Sequence, residues 1–218
     1  VQAGMLLTQI HNICDKNDMF FPLSLASEGS CTIGGNLATN AGGVGVLYYG
    51  NTRDLTLGLE IVLSDGSIIN LLKTLKKDNT GYSLKNLFIG SEGTLGIITA
   101  ASLKVFQKPR NKLTFLASTD SPKKALDLLR MLQKNTSIPL TSFEIMNNHS
   151  VDTVLRNFCE TKLPISKKSD WYILFEFSSY EKNNDTSEAI NEIVNIGIEK
   201  KFIADAVFAN SKKQSEEI

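Results

Sequence analysis

The sequence predicts an α+β protein with two domains of different character. Glycines interleaved with small polar residues crowd the first half, whereas patterns typical of strands and helices alternate in the second half. The chain has 218 residues, of which 42% are hydrophobic, enough for one large domain or two small ones with their own cores. Because glycine density collapses near residues 107–112, we place a boundary there and assign residues 1–108 and 109–218 to the two domains.

In the first half, residue spacing predicts one helix, one hairpin and one further strand. Four apolar residues recur at helical spacing, namely Leu6, Ile10, Ile13 and Cys14. Asp65-Gly66 stands between two apolar stretches, which is the pattern of a tight hairpin turn. In chain order the predicted elements are a helix over residues 5–17, strands over 55–63 and 67–72, and a strand that begins at 97 and runs towards 106.

In the second half, strands and helices are predicted to alternate. Ser121-Pro122 provides a cap and a first-turn proline for a helix. The predicted strands cover residues 113–118, 142–146, 171–178 and 202–208, and the predicted helices cover 123–134, 150–158 and 186–200. This order resembles a β-α-β pattern laid twice on one antiparallel sheet, which is the ferredoxin-like arrangement.

Composition argues against several classes of partner. Lys plus Arg and Asp plus Glu both number 23, so no net field favours nucleic acid or an anionic membrane. No apolar run approaches the ~20 residues that cross a bilayer. The cysteines Cys14, Cys31 and Cys159 lie far apart, without the close pairs of a zinc or redox motif. We expect them to be small buried hydrophobic residues in a reducing compartment.

Two glycine-rich segments form the candidate ligand site. One runs from Thr32 to Gly43 and the other from Gly90 to Gly96. Such sequences let backbone N–H groups converge on a phosphate or pyrophosphate, especially where a short helix turns its N-terminus inward. Asn36, Thr39 and Asn40 would add neutral donors. The composition is equally that of a glycine-rich surface loop, so both interpretations stand on composition alone.

The common phosphate signatures do not occur. The sequence contains no G-x-x-x-x-G-K-[ST], which excludes a P-loop, and no G-x-G-x-x-G after a strand, which leaves the dinucleotide fold of NAD enzymes unsupported. A cofactor, if bound, would be held in another way.

Three motifs follow one another around the predicted hairpin. They are Gly34-Gly35-Asn36-Leu37-Ala38-Thr39-Asn40-Ala41-Gly42-Gly43, Lys77-Asp78-Asn79-Thr80-Gly81-Tyr82-Ser83-Leu84-Lys85 and Gly90-Ser91-Glu92-Gly93-Thr94-Leu95-Gly96-Ile97-Ile98-Thr99. Together they closely resemble the FAD-linked oxidases of the vanillyl-alcohol oxidase type, and within them the D-2-hydroxyglutarate, D-lactate and glycolate dehydrogenase branch. The resemblance implies the second subdomain of a PCMH-type FAD-binding domain, followed by part of a ferredoxin-like α+β cap domain.

The resemblance also implies where the cofactor would lie. FAD would extend between two α+β subdomains, with Gly34 to Gly43 along its pyrophosphate and ribityl chain and the backbone of Gly93 to Ile98 near the flavin or adenine. The cofactor-binding residues so implied are Pro22, Ser30, Gly34, Gly35, Asn36, Ala38, Thr39, Asn40, Gly43, Glu92, Gly93, Gly96, Ile97 and Ile98. For Pro22, Ser30 and Glu92, a structural role in a turn, loop or cap is an equal alternative.

The second of the three motifs, around Asn79 and Tyr82, resembles a loop on the active-site side of the flavin. A role in orienting that loop is the favoured interpretation, with contact to the ring or substrate as the alternative. Lys85 is expected to be a solvated charge on a helix.

The residues for the chemistry itself are not found. Oxidation of a 2-hydroxy acid requires a base for the hydroxyl proton, a cation or metal for the carboxylate, and a flavin to take the hydride. The resemblance would place the base and the metal in an H-x-G-D-G-N-x-H segment and a later E-H pair, and neither occurs. The only histidines, His11 and His149, share no ligand-like spacing. We therefore name no catalytic or metal-binding residue and expect any divalent metal only in a further C-terminal part.

The chain is expected to be a piece cut at both ends. Residues 1–4 resemble the last strand of the family's first FAD subdomain, and residues 205–214 resemble a segment in the middle of the cap. Family members with covalent flavin use a His or Cys near the ring, for which Cys31 is the nearest candidate. Its loop is otherwise ordinary, so we expect noncovalent FAD.

The resemblance implies that the parent protein oxidises a D-2-hydroxy acid such as D-lactate, glycolate or D-2-hydroxyglutarate. Electrons would pass to a quinone, a carrier protein or another acceptor. One alternative is an inactive remnant or assembly module without flavin, and another is a flavin oxidase of the same fold that acts on a different alcohol or a sugar. The expected location is cytoplasmic, or the mitochondrial matrix in a eukaryote.

Overall fold

The computed structural model describes residues 1–158, 160–180, 185–209 and 214–215. The chain divides into two compact units, Val1–Lys108 and Pro109–Ile218. Each unit has its own hydrophobic core, and each combines helices with antiparallel strands. The predicted α+β class is therefore confirmed.

Unit 1 is a small sheet covered by helices. Its helices are α1 (Leu7–Lys16), α2 (Ile33–Ala38), α3 (Val46–Tyr49) and α4 (Lys85–Phe88), and its strands are β1 (Met19–Phe20), β2 (Thr56–Val62), β3 (Ile68–Leu71), β4 (Ile97–Leu103) and β5 (Phe106–Gln107). The three longer strands form an antiparallel sheet in the order β3-β2-β4, and β1 pairs with β5. The predicted hairpin is β2-β3, whose turn holds Gly66 at a φ of 83°.

Two predictions for unit 1 differ from the structure. Ile13 was expected on the buried face of the first helix, but it is 49% exposed, and the buried residues of α1 are Leu7, Ile10 and Cys14. The predicted strand from 97 to 106 is two strands, because the N–H of Lys104 donates to Leu55 O at 2.8 Å and Phe106 then pairs with Phe20 instead.

The core of unit 1 fixes the orientation of α2. Ile33 and Leu37 are fully buried, together with Leu59 and Ile61 of β2. Since residues four apart share one face of a helix, burying Ile33 and Leu37 leaves Gly35 on the exposed side. The hydrophobic pattern of this short helix therefore decides which part of the first glycine segment faces outwards.

Unit 2 has the predicted ferredoxin-like topology. Its elements are β6 (Asn111–Thr119), α5 (Pro122–Asn135), β7 (Leu140–Asn147), α6 (Asn148–Asn157), β8 (Trp171–Ser179), α7 (Asp185–Glu199) and β9 (Asp205–Phe208). The strands form one antiparallel sheet in the order β7-β8-β6-β9. Two β-α-β units produce this order, and α6 is an additional helix between β7 and β8.

The alternation of side chains along the strands gives unit 2 two apolar layers. On one face of the sheet, Phe115, Ile173 and Phe175 pack with Leu128 of α5 and Ile190 of α7. The other face carries a smaller cluster of Leu116, Tyr172 and Ile165. The sheet is thus buried on both faces over much of its area, which explains the strongly apolar sequence of β8.

The helix and strand ends of unit 2 follow local chemistry. Ser121 accepts a hydrogen bond from the N–H of Lys124 at 3.4 Å, with Pro122 as the first helical residue, as the sequence predicted. The last strand begins at Asp205 and not at Phe202, because the N–H of Phe202 donates to Gly197 O at 2.9 Å. Residue 202 therefore closes α7 before the chain reaches the sheet.

The cysteines only partly match the expectation of burial. Cys14 is buried and Cys31 is half-buried, while Cys159 lies outside the described residues. Burial raises the pKa of the Cys14 thiol, and the neighbouring Asp15 carboxylate adds to the rise.

In the described parts of the chain, no helix combines the length and apolar character needed to cross a membrane.

Asp205 organises the loop that leads into β8. Its carboxylate Oδ2 accepts the hydroxyl of Ser166 at 2.6 Å and the N–H groups of Ser166 and Lys167 at 3.1 and 3.2 Å. The bond from the Ser166 hydroxyl is the main reason that the pKa of Asp205 is lowered below its usual value. The loop is thus fixed to the sheet by one ionised carboxylate.

We expect Asp205→Asn to lower the free energy of unfolding by about 1–2 kcal/mol at neutral pH, because an amide is a weaker acceptor than a carboxylate. Since the pKa of Asp205 is lower in the folded chain, its contribution is fully present above the unfolded pKa of ~3.9 and is lost progressively as the pH falls through the lower pKa of the folded chain. Urea unfolding at pH 7 and pH 3 measures both effects. Exposed Asp170 provides the control, and equal losses in Asp205→Asn and Asp170→Asn would contradict the prediction.

Candidate functional site

The two glycine-rich segments lie side by side in unit 1. The carbonyl of Leu37 accepts the N–H of Gly90, and the carbonyl of Ala38 accepts the N–H of Glu92, both at 3.0 Å. A groove of about 360 Å³ opens where the segments meet. Its walls come from Thr32, Gly34, Gly35 and Ala38 of the first segment, from Ser91, Gly93, Gly96, Ile97 and Ile98 of the second, and from Ala3 and Gly4. We call this the glycine groove.

Seven of the residues implied by the family resemblance line the glycine groove. They are Gly34, Gly35, Ala38, Gly93, Gly96, Ile97 and Ile98. These residues come from two segments more than fifty positions apart in the chain. The structure thus brings together two motifs that the sequence presents separately.

Three polar residues of the implied set turn their side chains to the chain itself. Asn36 is 5% exposed, and its Nδ2 contacts Cys31 Sγ at 3.5 Å. The hydroxyl of Thr39 donates to Gly35 O at 3.0 Å. Asn40 Oδ1 accepts the N–H of Arg53 at 2.9 Å. These bonds stabilise the end of α2, and none of the three side chains lines the groove.

The remaining four residues of the implied set also lie outside the groove walls. Pro22 is buried, and the Ser30 hydroxyl donates to Ser27 O at 3.3 Å. A Cβ on Gly43 would lie 2.1 Å from Ser24 O, so the close approach of the chain requires glycine there. Glu92 is exposed and occupies a left-handed turn with a φ of 51°. The structure thus shows the turn, loop and packing contacts of these four positions, and their contacts with a cofactor stay predictions.

The glycines that line the groove are of two kinds. A Cβ on Gly34 would lie 2.7 Å from Ala3 Cβ, and one on Gly96 would lie 2.8 Å from Ile61 Cγ2, so packing excludes side chains there. A Cβ on Gly4 would meet nothing within 4 Å, and those on Gly35 and Gly93 would make only ordinary contacts, at 3.5 and 3.8 Å. The space above these three glycines is left empty by the protein.

The expectation that the N-terminus of the short helix offers free donors is not met. At the start of α2, the N–H of Ile33 donates to Met5 O and that of Gly34 to Ala3 O, at 2.9 and 2.8 Å. The N–H of Gly35 reaches Thr32 Oγ1 at 3.4 Å. Across the described residues, in contrast, the N–H groups of Gly4 and Gly93 have no protein acceptor. The available backbone donors therefore come from the turns around the helix.

Four groove residues were absent from the implied set. Ala3 and Gly4 reach the site because Gln2 bridges to Ala100 of β4 and the N–H of Ala3 donates to Thr99 O at 2.8 Å. Thr32 and Ser91 each stand at the edge of a glycine segment and add a hydroxyl group. The sequence could have indicated Thr32 and Ser91 through their position beside the motifs. The position of Ala3 and Gly4 at the groove depends on a long-range strand pairing.

Arg53 holds the two glycine segments together. Its Nη2 donates to Ile89 O at 2.6 Å, immediately before Gly90, and its backbone N–H donates to Asn40 Oδ1 at the end of α2. Its Nε is buried and has no partner among the described residues. The residue thus connects both walls of the groove from behind, through one side-chain and one main-chain bond.

Family comparison agrees with this geometry. A model described as FAD linked oxidases, C-terminal domain, matches residues 108–218. A second, described as an FAD binding domain, matches residues 1–72. The chain belongs to the FAD-linked oxidases.

Curated relatives of this FAD-linked oxidase chain are considerably longer. The mitochondrial D-2-hydroxyglutarate dehydrogenase of Arabidopsis thaliana is 38% identical over 98% of this chain, which covers 38% of the relative. The corresponding protein of Rattus norvegicus is 40% identical over 90% of this chain, covering 37% of the relative. A D-2-hydroxyglutarate–pyruvate transhydrogenase of Saccharomyces cerevisiae is 33% identical over 96% of this chain, which covers 42% of that relative. The chain thus spans about two fifths of these relatives.

A solved alkyldihydroxyacetonephosphate synthase shares the fold. It superimposes with a TM-score of 0.71 at 22% identity, covering 100% of this chain and 43% of that structure. At this identity the likeness concerns the fold alone, and it confirms the predicted architecture of FAD-linked oxidases.

The glycine groove fits the cofactor of the family. Bare main chain at Gly4, Gly35 and Gly93 leaves room for an extended ligand, and free N–H groups at Gly4 and Gly93 suit phosphate oxygens. The residues of the groove walls include no lysine or arginine, so a pyrophosphate would be bound by neutral donors. They also include no histidine or cysteine.

The histidines lie elsewhere. His11 Nε2 lies 2.9 Å from Leu23 O, and His149 is exposed on α6 of unit 2. Among the residues that the structure describes, no three His, Cys, Asp or Glu side chains are grouped for a metal ion.

We expect Arg53→Met to lower the free energy of unfolding by about 1–3 kcal/mol, because it removes a charged hydrogen bond to Ile89 O. Hydrogen exchange at the amides of Gly90 and Glu92 should become faster, since both bond to α2. Arg130→Met is the matched control, because Arg130 is exposed and its contact with Asp127 measures 3.8 Å. Unchanged exchange at Gly90 and Glu92 in Arg53→Met would show that Arg53 does not hold the segments.

Proposed function

We propose that the protein containing this chain uses FAD to oxidise a D-2-hydroxy acid to the corresponding 2-oxo acid. Residues 1–108 supply part of the FAD-binding domain, and residues 109–218 supply part of the substrate or cap domain. The observation that carries the proposal is the glycine groove, where two distant glycine segments leave an empty path along bare main chain.

The residues of the groove would act by binding and orienting the cofactor. The N–H groups of Gly4 and Gly93 would donate to pyrophosphate oxygens, and the hydroxyls of Thr32 and Ser91 would add neutral hydrogen bonds. Ile97, which is 61% exposed, would offer apolar surface to the adenine or the flavin ring. FAD, when bound, supplies the acceptor for the hydride of the substrate.

The names of the relatives favour D-2-hydroxyglutarate as the substrate, with D-lactate and glycolate as smaller candidates of the same class. The mitochondrial names of the plant and rat relatives support a mitochondrial location. A quinone or a carrier protein would accept the electrons. The base and any divalent metal would lie outside the glycine groove, whose walls offer neither.

We expect Gly35→Ala to weaken FAD binding by at least about tenfold, because its methyl group would enter space that the ligand needs. Stability should be kept, since the new Cβ would meet only Thr32 Oγ1 at 3.5 Å and alanine favours the helix by about 1 kcal/mol over glycine. Quenching of flavin fluorescence by the full-length protein measures the affinity.

Two further variants complete this test. Gly29→Ala is the control, because a Cβ there meets nothing within 4 Å and lies outside the groove. Gly34→Ala should instead destabilise the fold, because its methyl group would lie 2.7 Å from Ala3 Cβ. If Gly35→Ala binds FAD as tightly as Gly29→Ala, the glycine groove is not the cofactor site.

We expect the full-length protein, loaded with FAD, to reduce an artificial electron acceptor with D-2-hydroxyglutarate and to leave the L enantiomer unoxidised. A panel with D-lactate, glycolate, a primary alcohol and an aldose determines the substrate class. Oxidation of the alcohol or the sugar alone would replace the hydroxy acid assignment. A full-length protein that binds no flavin would indicate an inactive remnant.

A further inference from the structure

A second groove in unit 1 has a different chemical character. Its volume is about 310 Å³, and it shares no residue with the glycine groove. The start of β2, the end of β3 and residues 75–85 form its walls. Four lysines line it, namely Lys73, Lys76, Lys85 and Lys104, together with two carboxylates, Asp54 and Asp78. We call this the lysine groove.

The lysine groove concentrates positive charge in a chain whose formal net charge is zero. Four lysines against two aspartates leave a formal excess of two positive charges. Asp78 is already occupied, because its carboxylate accepts Lys73 Nζ at 2.5 Å and this bond lowers the pKa of Asp78. Asp54 accepts the N–H of Asn51 at 2.9 Å. The remaining ammonium groups therefore lack a dedicated counterion.

Lys85 is the central cation of this groove. It is half-buried, its Nζ donates to the neutral Asn86 Oδ1 at 3.1 Å, and within the described chain it forms no ion pair. Burial lowers the pKa of Lys85, while attraction by Asp54 opposes the shift and repulsion by Arg53 adds to it. The sequence predicted a solvated helix charge, and the structure shows a half-buried ammonium group whose hydrogen bond is to a neutral amide and which Asp54 attracts without forming an ion pair with it.

Lys104 is a second cation at the same groove. Its Nζ lies 4.9 Å from the centre of the Phe106 ring, and it forms no ion pair with any carboxylate of the described residues. An aromatic face holds the ammonium in place without neutralising it. Both lysines therefore keep their charge available to a ligand.

We propose that the lysine groove binds a small oxyanion, a phosphate or a carboxylate group, with Lys85 and Lys104 as its main ligands. An anion would give the half-buried Lys85 ammonium the direct ion pair that it lacks among the described residues. The volume suits a small molecule and not an extended chain. The inference rests on this groove alone and is independent of the function proposed for the glycine groove.

The test is calorimetric titration of the full-length, FAD-saturated protein with inorganic phosphate and, separately, with malonate at constant ionic strength. We expect saturable binding of at least one anion, weakened by about tenfold or more in Lys85→Gln and by less than about threefold in Lys85→Arg. Lys77→Gln is the matched control, because it removes the same charge from the segment that leads to α4 but lies outside the groove. It should change the affinity by less than about twofold.

Two further measurements show whether the anion binds at Lys85 and not at the cofactor site, and whether a loss of binding reflects misfolding. Gly35→Ala should bind the anion as the parent does, because it alters only the glycine groove. The pKa of Lys85, followed by NMR of its side chain, should rise when the anion is added. Equal losses in Lys85→Gln and Lys77→Gln, no saturable binding of either anion, or an unchanged pKa of Lys85 would each overturn the proposal.

Discussion

The site depends on two main-chain hydrogen bonds, from the N–H groups of Gly90 and Glu92 to the carbonyls of Leu37 and Ala38. Carbonyls at the end of a helix lack helical partners, and here the second glycine segment supplies them. The pairing places both segments at one groove without any side chain between them. Arg53 strengthens it from behind through Ile89 O. Loss of this pairing would leave two separate loops.

Much of the fold was predictable because it depends on local patterns. The period of apolar residues and the Asp65-Gly66 turn indicated the β2-β3 hairpin, and Ser121-Pro122 indicated the start of α5. The ferredoxin-like order followed from the alternation of strands and helices. The errors arose where a main-chain hydrogen bond, one of them long-range and the other local, interrupts the predicted strand. The N–H of Lys104 donates to Leu55 O, and the predicted strand is interrupted there. The N–H of Phe202 donates to Gly197 O, so β9 begins later in the chain than predicted.

The candidate site was predictable at the level of segments but not of side chains. Glycine density indicated main chain close to a ligand. It did not show that a side chain is excluded at Gly34 and Gly43 by close contacts within the protein, whereas Gly35 has no such close contact. The motif also did not reveal the bonds within the chain, such as the one that Asn40 Oδ1 accepts from the N–H of Arg53. Gly4 escaped notice because only the pairing of Gln2 with Ala100 brings it to the groove.

The central claim is that FAD lies against bare main chain shared by the two glycine segments. Hydrogen–deuterium exchange of the full-length protein with and without FAD tests it most directly, because the N–H groups of Gly4 and Gly93 lack protein acceptors among the described residues and should exchange fast until the cofactor accepts them. We predict that FAD slows exchange at both amides, while exchange at the Gly66 turn stays unchanged. Bound FAD with unaltered exchange at Gly4 and Gly93 would contradict the account.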